Sequence, residues 1–236
     1  MNYDMMIAGA IGFAPAIALM FYTLRNYTYP AVERPFFDDR KVFFMFAVGI
    51  MIGVVLASVN YLFISGDAIS LIMYALLFVL LEELTKFVIL NMKRFLQKLD
   101  TTFYGVTLGL GIGSTTGFGA AFFALNALQG LAGPLDYVFL VLLSTQLVLL
   151  HGATTTTIAI GSARGNPWPF LIQAIMVHLA VNLLMVPYYL GENPLGFISF
   201  ALSLGFLALY YRHVYGTMIP EVVSEALSRM RHASKR

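Results

Sequence analysis

AISLIMYALLFVLLEELTKFVILNM occupies residues 68–92. The run from Ala68 to Leu81 carries no charge, Glu82, Glu83 and Lys86 interrupt it, and apolar sequence resumes at Phe87 through Leu90. A stretch of this length can cross a hydrocarbon core of roughly 30 Å as a helix. Whether it does so, and why three charges would accompany it, depends on the rest of the chain.

The rest of the chain places it in a membrane. Of 236 residues, 59% are hydrophobic and only 11% charged, with a mean hydropathy of +0.81. Soluble domains are about 25% charged. Similar apolar runs lie at about 5–24, 43–64, 68–91, 103–131, 137–162, 170–190 and 195–212. The first follows Asp4 rather than a basic region, so it reads as a span and not as a cleavable signal. The expected fold is an all-α polytopic membrane bundle of about seven transmembrane helices, forming one domain over residues 1–216. Residues 217–236 read as a basic tail, cytosolic or interfacial. The chain has no cysteine, which excludes disulfides, thiol nucleophiles and thiolate metal sites. No cofactor and no nucleic-acid partner is expected.

Orientation follows from Lys and Arg. Arg25, Arg34, Arg40 and Lys41 fall in the first loop, Lys93, Arg94 and Lys98 in the third, and Arg164 in the fifth. Arg212, Arg229, Arg231, Lys235 and Arg236 follow the last span, and the alternate loops have none. The positive-inside rule then predicts an N-terminus outside and a C-terminus in the cytosol, in a multi-pass protein of the cell membrane. The tail is expected to be attracted to anionic lipid. Lys86 is the one basic residue left inside the membrane.

Seven spans fix the depth of each polar residue. At 1.5 Å per residue, Glu82, Glu83 and Lys86 lie roughly 8–15 Å from the inner end of the third span. His151 on the fifth lies about 15 Å deep, and His178 and Asn182 on the sixth roughly 12–18 Å. Ionised residues at such depth cost about 2.5 kcal/mol or more, face the bundle interior and usually mark function. In helical projection Lys86 falls between Glu82 and Glu83 and can approach either. One carboxylate is then neutralised and the other is not. The expectation is a buried cluster of Glu82, Glu83, Lys86, His151 and His178. On the fourth span Gly105, Gly109, Gly113 and Gly117 recur every four residues, a ridge that lets helix backbones approach closely. Ser114, Thr115 and Thr116 are expected at the same depth as the cluster.

These motifs resemble the PrsW family of glutamate-type intramembrane proteases, in the clan that includes the CAAX-prenyl endopeptidases. The matching residues are Glu82-Glu83-Leu84-Thr85-Lys86, Asp100 through Tyr104-Gly105 to Gly109-Leu110-Gly111, His151 with Thr154, Thr155 and Gly161, and His178 with Asn182. They span about residues 68–185. The pattern departs from the family where a Glu-Asn pair is expected, since Thr116 and Gly117 stand there. A divergent protease and a catalytically inactive relative are both compatible with that change.

The resemblance implies an endopeptidase cutting membrane-anchored proteins near the cytosolic face. Glu82 or Glu83 would activate water, and His151 and His178 would hold the water or the oxyanion. Glu82 is the preferred base, with Glu83 held by Lys86; the two are interchangeable at this stage. Lys86, Asn182, Thr116 and Thr154 would support. One alternative is a scaffold or substrate-binding protein on the same fold. A second is a metal-dependent hydrolase with Glu82, His151 and His178 as ligands.

Overall fold

The computed structural model describes residues 3–62 and 67–233. The helices in order are α1 (Tyr3–Leu24), α2 (Asp39–Leu62), α3 (Ala68–Leu90), α4 (Asp100–Leu128), α5 (Pro134–Arg164), α6 (Pro167–Tyr189), α7 (Leu195–His213) and α8 (Ile219–Ala233), and the described residues include no strand. Among the described residues, seven helices are long and apolar enough to cross a membrane, the last running from Leu195 to Ser228. A chain this apolar can satisfy its backbone groups in lipid only within helices or a closed barrel. Residues 63–66, expected to hold the end of the second span and part of the following loop, lie outside the described residues, as do Lys235 and Arg236 of the tail.

Four helices start three or four residues earlier than the apolar runs suggest. α2 begins at Asp39 rather than 43, α4 at Asp100 rather than 103, α5 at Pro134 rather than 137 and α6 at Pro167 rather than 170. Each first turn is polar or carries proline, so hydropathy does not register it. Asp39, Asp100 and Asp136 sit where an acidic residue favours a helix N-terminus. The tail also differs from expectation. Instead of ending near 212, the helix passes His213 into a wider turn at Val214–Met218, where Ile219 N–H donates to the Val214 carbonyl five residues back. Pro220 follows at once. It has no N–H and crowds the carbonyl four residues before it, and a wide turn relieves that conflict without breaking the helix.

α4 and α5 form the centre. Residues 101–115 of α4 and 148–162 of α5 are buried on every face. Glycines make that density possible. Added side-chain carbons at Gly105 and Gly109 would run into Ala159 and Thr155 of α5. One at Gly113 would lie 2.6 Å from the Val148 Cα. The opposite side of α4 is as close to its neighbour, with Gly111 packed on Gly49 of α2. Helices in lipid lack a strong hydrophobic drive to associate, so close backbone packing is a main source of cohesion. Gly113→Leu is therefore expected to destabilise the bundle by about 1–3 kcal/mol or more, read as a lower midpoint of thermal unfolding in detergent micelles.

The loops rich in Lys and Arg collect at one end. Gln97 N–H, between α3 and α4, donates to Ser162 O of α5 at 2.9 Å. Arg164 pairs with Glu225 of α8 through two hydrogen bonds, of 2.7 and 3.1 Å. Asn26, after α1, donates to the Tyr215 hydroxyl at 2.9 Å. Asp38 N–H, before α2, donates to the Tyr104 hydroxyl at 3.3 Å. We call this the basic end.

Candidate active site

The site is carried by α3, α5 and α6, which pack on one another. α3 is started by Asp67, whose Oδ1 accepts from Ser70 N–H at 2.9 Å. Hydrogen bonding from Ser70, by its side chain first and its backbone second, lowers the Asp67 carboxyl below its usual range. Its inward stripe is Phe78, Val79, Glu82, Glu83, Lys86 and Leu90. The spacing is helical, so the charges share the face that packs on the bundle while Leu77, Leu80, Leu84 and Val88 face outward.

α5 and α6 are separated only by Gly165 and Asn166. Gly165 takes a left-handed conformation (φ +76°), which ends α5. A connection this short makes α5 and α6 antiparallel neighbours. His151 lies about 20 Å before the turn and His178 about 17 Å after it, at 1.5 Å per residue. The hairpin thus brings the two imidazoles to one level. Their rings are 5.5 Å apart and nearly perpendicular.

The five ionisable residues meet in one buried cluster: Glu83 and Lys86 are 0% exposed, His151 2%, His178 3% and Glu82 4%. Lys86 Nζ donates to Glu83 Oε1 at 2.6 Å and to Thr154 Oγ1 at 3.1 Å. His178 Nδ1 meets the same Glu83 oxygen at 2.6 Å. The other ring nitrogen, Nε2, lies 3.5 Å from Glu82 Oε2. That Glu82 oxygen is also 3.9 Å from His151 Nδ1. Both are longer than a good hydrogen bond.

The two carboxylates therefore differ. Glu83 is locked by a lysine and a histidine. Glu82 accepts no hydrogen bond among the described residues and stands between two imidazoles. Among the described residues, Glu83 Oε2, His151 Nδ1 and Thr155 Oγ1 are buried without a hydrogen-bond partner. Buried polar atoms in folded proteins are nearly always paired, and exceptions call for a physical reason. The unpartnered His151 Nδ1 lies 3.9 Å from the Glu82 carboxylate, an arrangement suited to receiving a polar group such as water or a peptide carbonyl.

Of the four supporting residues expected from the sequence, Lys86 and Thr154 join the cluster and two do not. The Thr116 hydroxyl donates back to Ile112 and Gly113 carbonyls of its own helix. The register of α4 explains this. Gly109, not residues 114–116, lies against His151 and Thr155, which leaves Thr116 two turns, or about 10 Å, beyond. Asn182 is half-buried, one turn past His178, and makes none of the cluster's hydrogen bonds. No three His, Asp or Glu side chains among the described residues are placed to hold a metal ion. The triad of Glu82, His151 and His178 is accordingly not assembled as a ligand set.

The structure adds a neighbour that the sequence did not single out. Tyr210 of α7 shares a 2.9 Å hydrogen bond with Thr157, one turn from Thr154 on α5. The run Thr154–Thr157 puts a hydroxyl on every side of α5, which is the signal that could have led to it. Gln146, Ser203 and Met185 make a second, separate chain of buried polar contacts between α5, α7 and α6.

Comparison with family models, with curated proteins and with solved structures found no match. The functional reading therefore stands on the residues and their geometry.

Proposed function

We propose that the chain is a glutamate-type intramembrane endopeptidase, cutting membrane-anchored proteins near the basic end of the bundle. The observation that supports this most is the state of Glu82: a buried carboxylate with no hydrogen bond among the described residues, set between two imidazoles. In this reading Glu82 takes one proton from water as the water oxygen bonds to the scissile carbonyl carbon. His151, whose Nδ1 has no partner, donates to the oxyanion. The proton held by Glu82 passes to the amide nitrogen as the C–N bond breaks, giving a carboxylate and an amine. The PrsW-like motifs on α3, α5 and α6 favour the same assignment. By the distribution of Lys and Arg, the basic end would face the cytosol of a cell with the protein in its cell membrane, and the basic tail would lie against anionic lipid.

A second reading has its own support. Thr116 stands where the resemblance expects a Glu, and its hydroxyl is turned onto its own helix. That favours a non-catalytic scaffold or substrate-binding protein. One experiment separates the two. The purified protein, Glu82→Ala and Glu83→Ala are reconstituted in liposomes with a single-span transmembrane substrate. Cleavage by the native chain and its loss in Glu82→Ala supports the protease. Equal activity in all three, or none in any, removes it.

A further inference from the structure

We infer that Lys86 and Glu83 act together as a positioning pair that fixes His178 as the Nδ1–H tautomer, leaving Nε2 turned on Glu82. The argument starts from a single oxygen. Glu83 Oε1 receives the Lys86 ammonium at 2.6 Å and His178 Nδ1 at 2.6 Å. An ammonium can only donate, and a carboxylate beside it can only accept. The imidazole nitrogen on the same oxygen must therefore carry its hydrogen. In the neutral imidazole, which has one N–H and one lone pair, Nε2 is then the lone-pair side. It faces Glu82 Oε2 at 3.5 Å.

The remaining contacts support the same assignment. Thr154 Oγ1 accepts a second Lys86 hydrogen at 3.1 Å, which pins the ammonium between α3 and α5. All three side chains of this relay are fully buried or nearly so, so water does not compete for their hydrogens. Lys86 holds Glu83, Glu83 orients His178 through Nδ1, and His178 turns Nε2 toward Glu82. A carboxylate that orients a histidine through Nδ1–H is a recurring way of setting tautomer and ring direction. Glu82 Oε2 and His178 Nε2 then face each other 3.5 Å apart, with no hydrogen bond between them.

The role assigned to the pair in the reaction rests on the protease reading; the tautomer does not. It is measured on the native protein in micelles, labelled with 15N at histidine and without substrate. His178 signals are assigned by their loss in His178→Gln. Hydrogen on Nδ1 in the native chain, with a shift of the major form to Nε2–H in Glu83→Gln, supports the inference. A bare Nδ1 in the native chain overturns it, and that spectrum decides even where a variant fails to fold. An unchanged pattern in both Glu83→Gln and Lys86→Met also overturns it. In the cleavage assay Glu83→Gln should lower kcat by about 10²-fold or more with little change in KM, the signature of lost alignment. A chain that cleaves nothing and still shows Nδ1–H retains the positioning pair and loses only the protease reading.

Discussion

Lys86→Met is expected to destabilise the bundle by about 3–5 kcal/mol, because breaking a buried pair leaves a charge without compensation. Methionine keeps the length and apolar character of the lysine stem, so the change isolates the ammonium. Glu83 would retain only His178 as a donor, in a place that water does not reach. Thr154 would lose its donor as well. The double variant Glu83→Gln with Lys86→Met removes both charges and is expected to recover much of the loss. The coupling between the two changes is then large, in the range of about 0.5–3 kcal/mol seen for contacting residues. Unfolding midpoints of the four proteins in one detergent measure it. Additive effects would mean that Lys86 stabilises the bundle by packing alone.

Much of this architecture is written locally in the chain. Seven apolar runs give seven helices, and the four-residue spacing of Gly105, Gly109, Gly113 and Gly117 marks the face of α4 that meets α5. Helix ends were less legible, since α2, α4, α5 and α6 begin in polar or proline-bearing turns. The continuation of α7 into α8 was hidden for a related reason. Pro220 and Gly216 look like punctuation, but a widened turn absorbs them.

The cluster was legible as a set of residues and not as a set of bonds. Helical projection places Lys86 within reach of either glutamate. The choice of Glu83 is made by Thr154 on α5 and His178 on α6, and no local pattern on α3 records their positions. The same limit explains Thr116. Counting from the estimated ends of the spans put it level with His151, whereas the register of α4 on α5 is set where glycine backbones touch. That register shifts Thr116 by two turns. Depth inferred from span ends is thus adequate for naming the helices that meet and too coarse for choosing which side chains touch.

Glu82→Gln is expected to separate activity from stability. Cleavage should fall by about 10²–10⁴-fold, the usual contribution of a general base, while the unfolding midpoint stays level or rises. Glu82 explains both halves. Its contacts to His178 and His151, at 3.5 and 3.9 Å, are too long to offset the removal of a carboxylate from water. The amide keeps the size of the side chain, removes the ionisable group, and can donate to the bare nitrogen of His178. A residue that weakens the fold and can be neutralised without harm to it is retained for another reason, as expected where function and stability compete. Glu83 gives the contrasting result, since its loss orphans both Lys86 and His178. Cleavage rates and thermal midpoints on the same preparations test the distinction. If Glu82→Gln lowers the midpoint as far as Lys86→Met and leaves cleavage intact, Glu82 belongs to the framework, and the unpaired nitrogen of His151 would have to serve some other group.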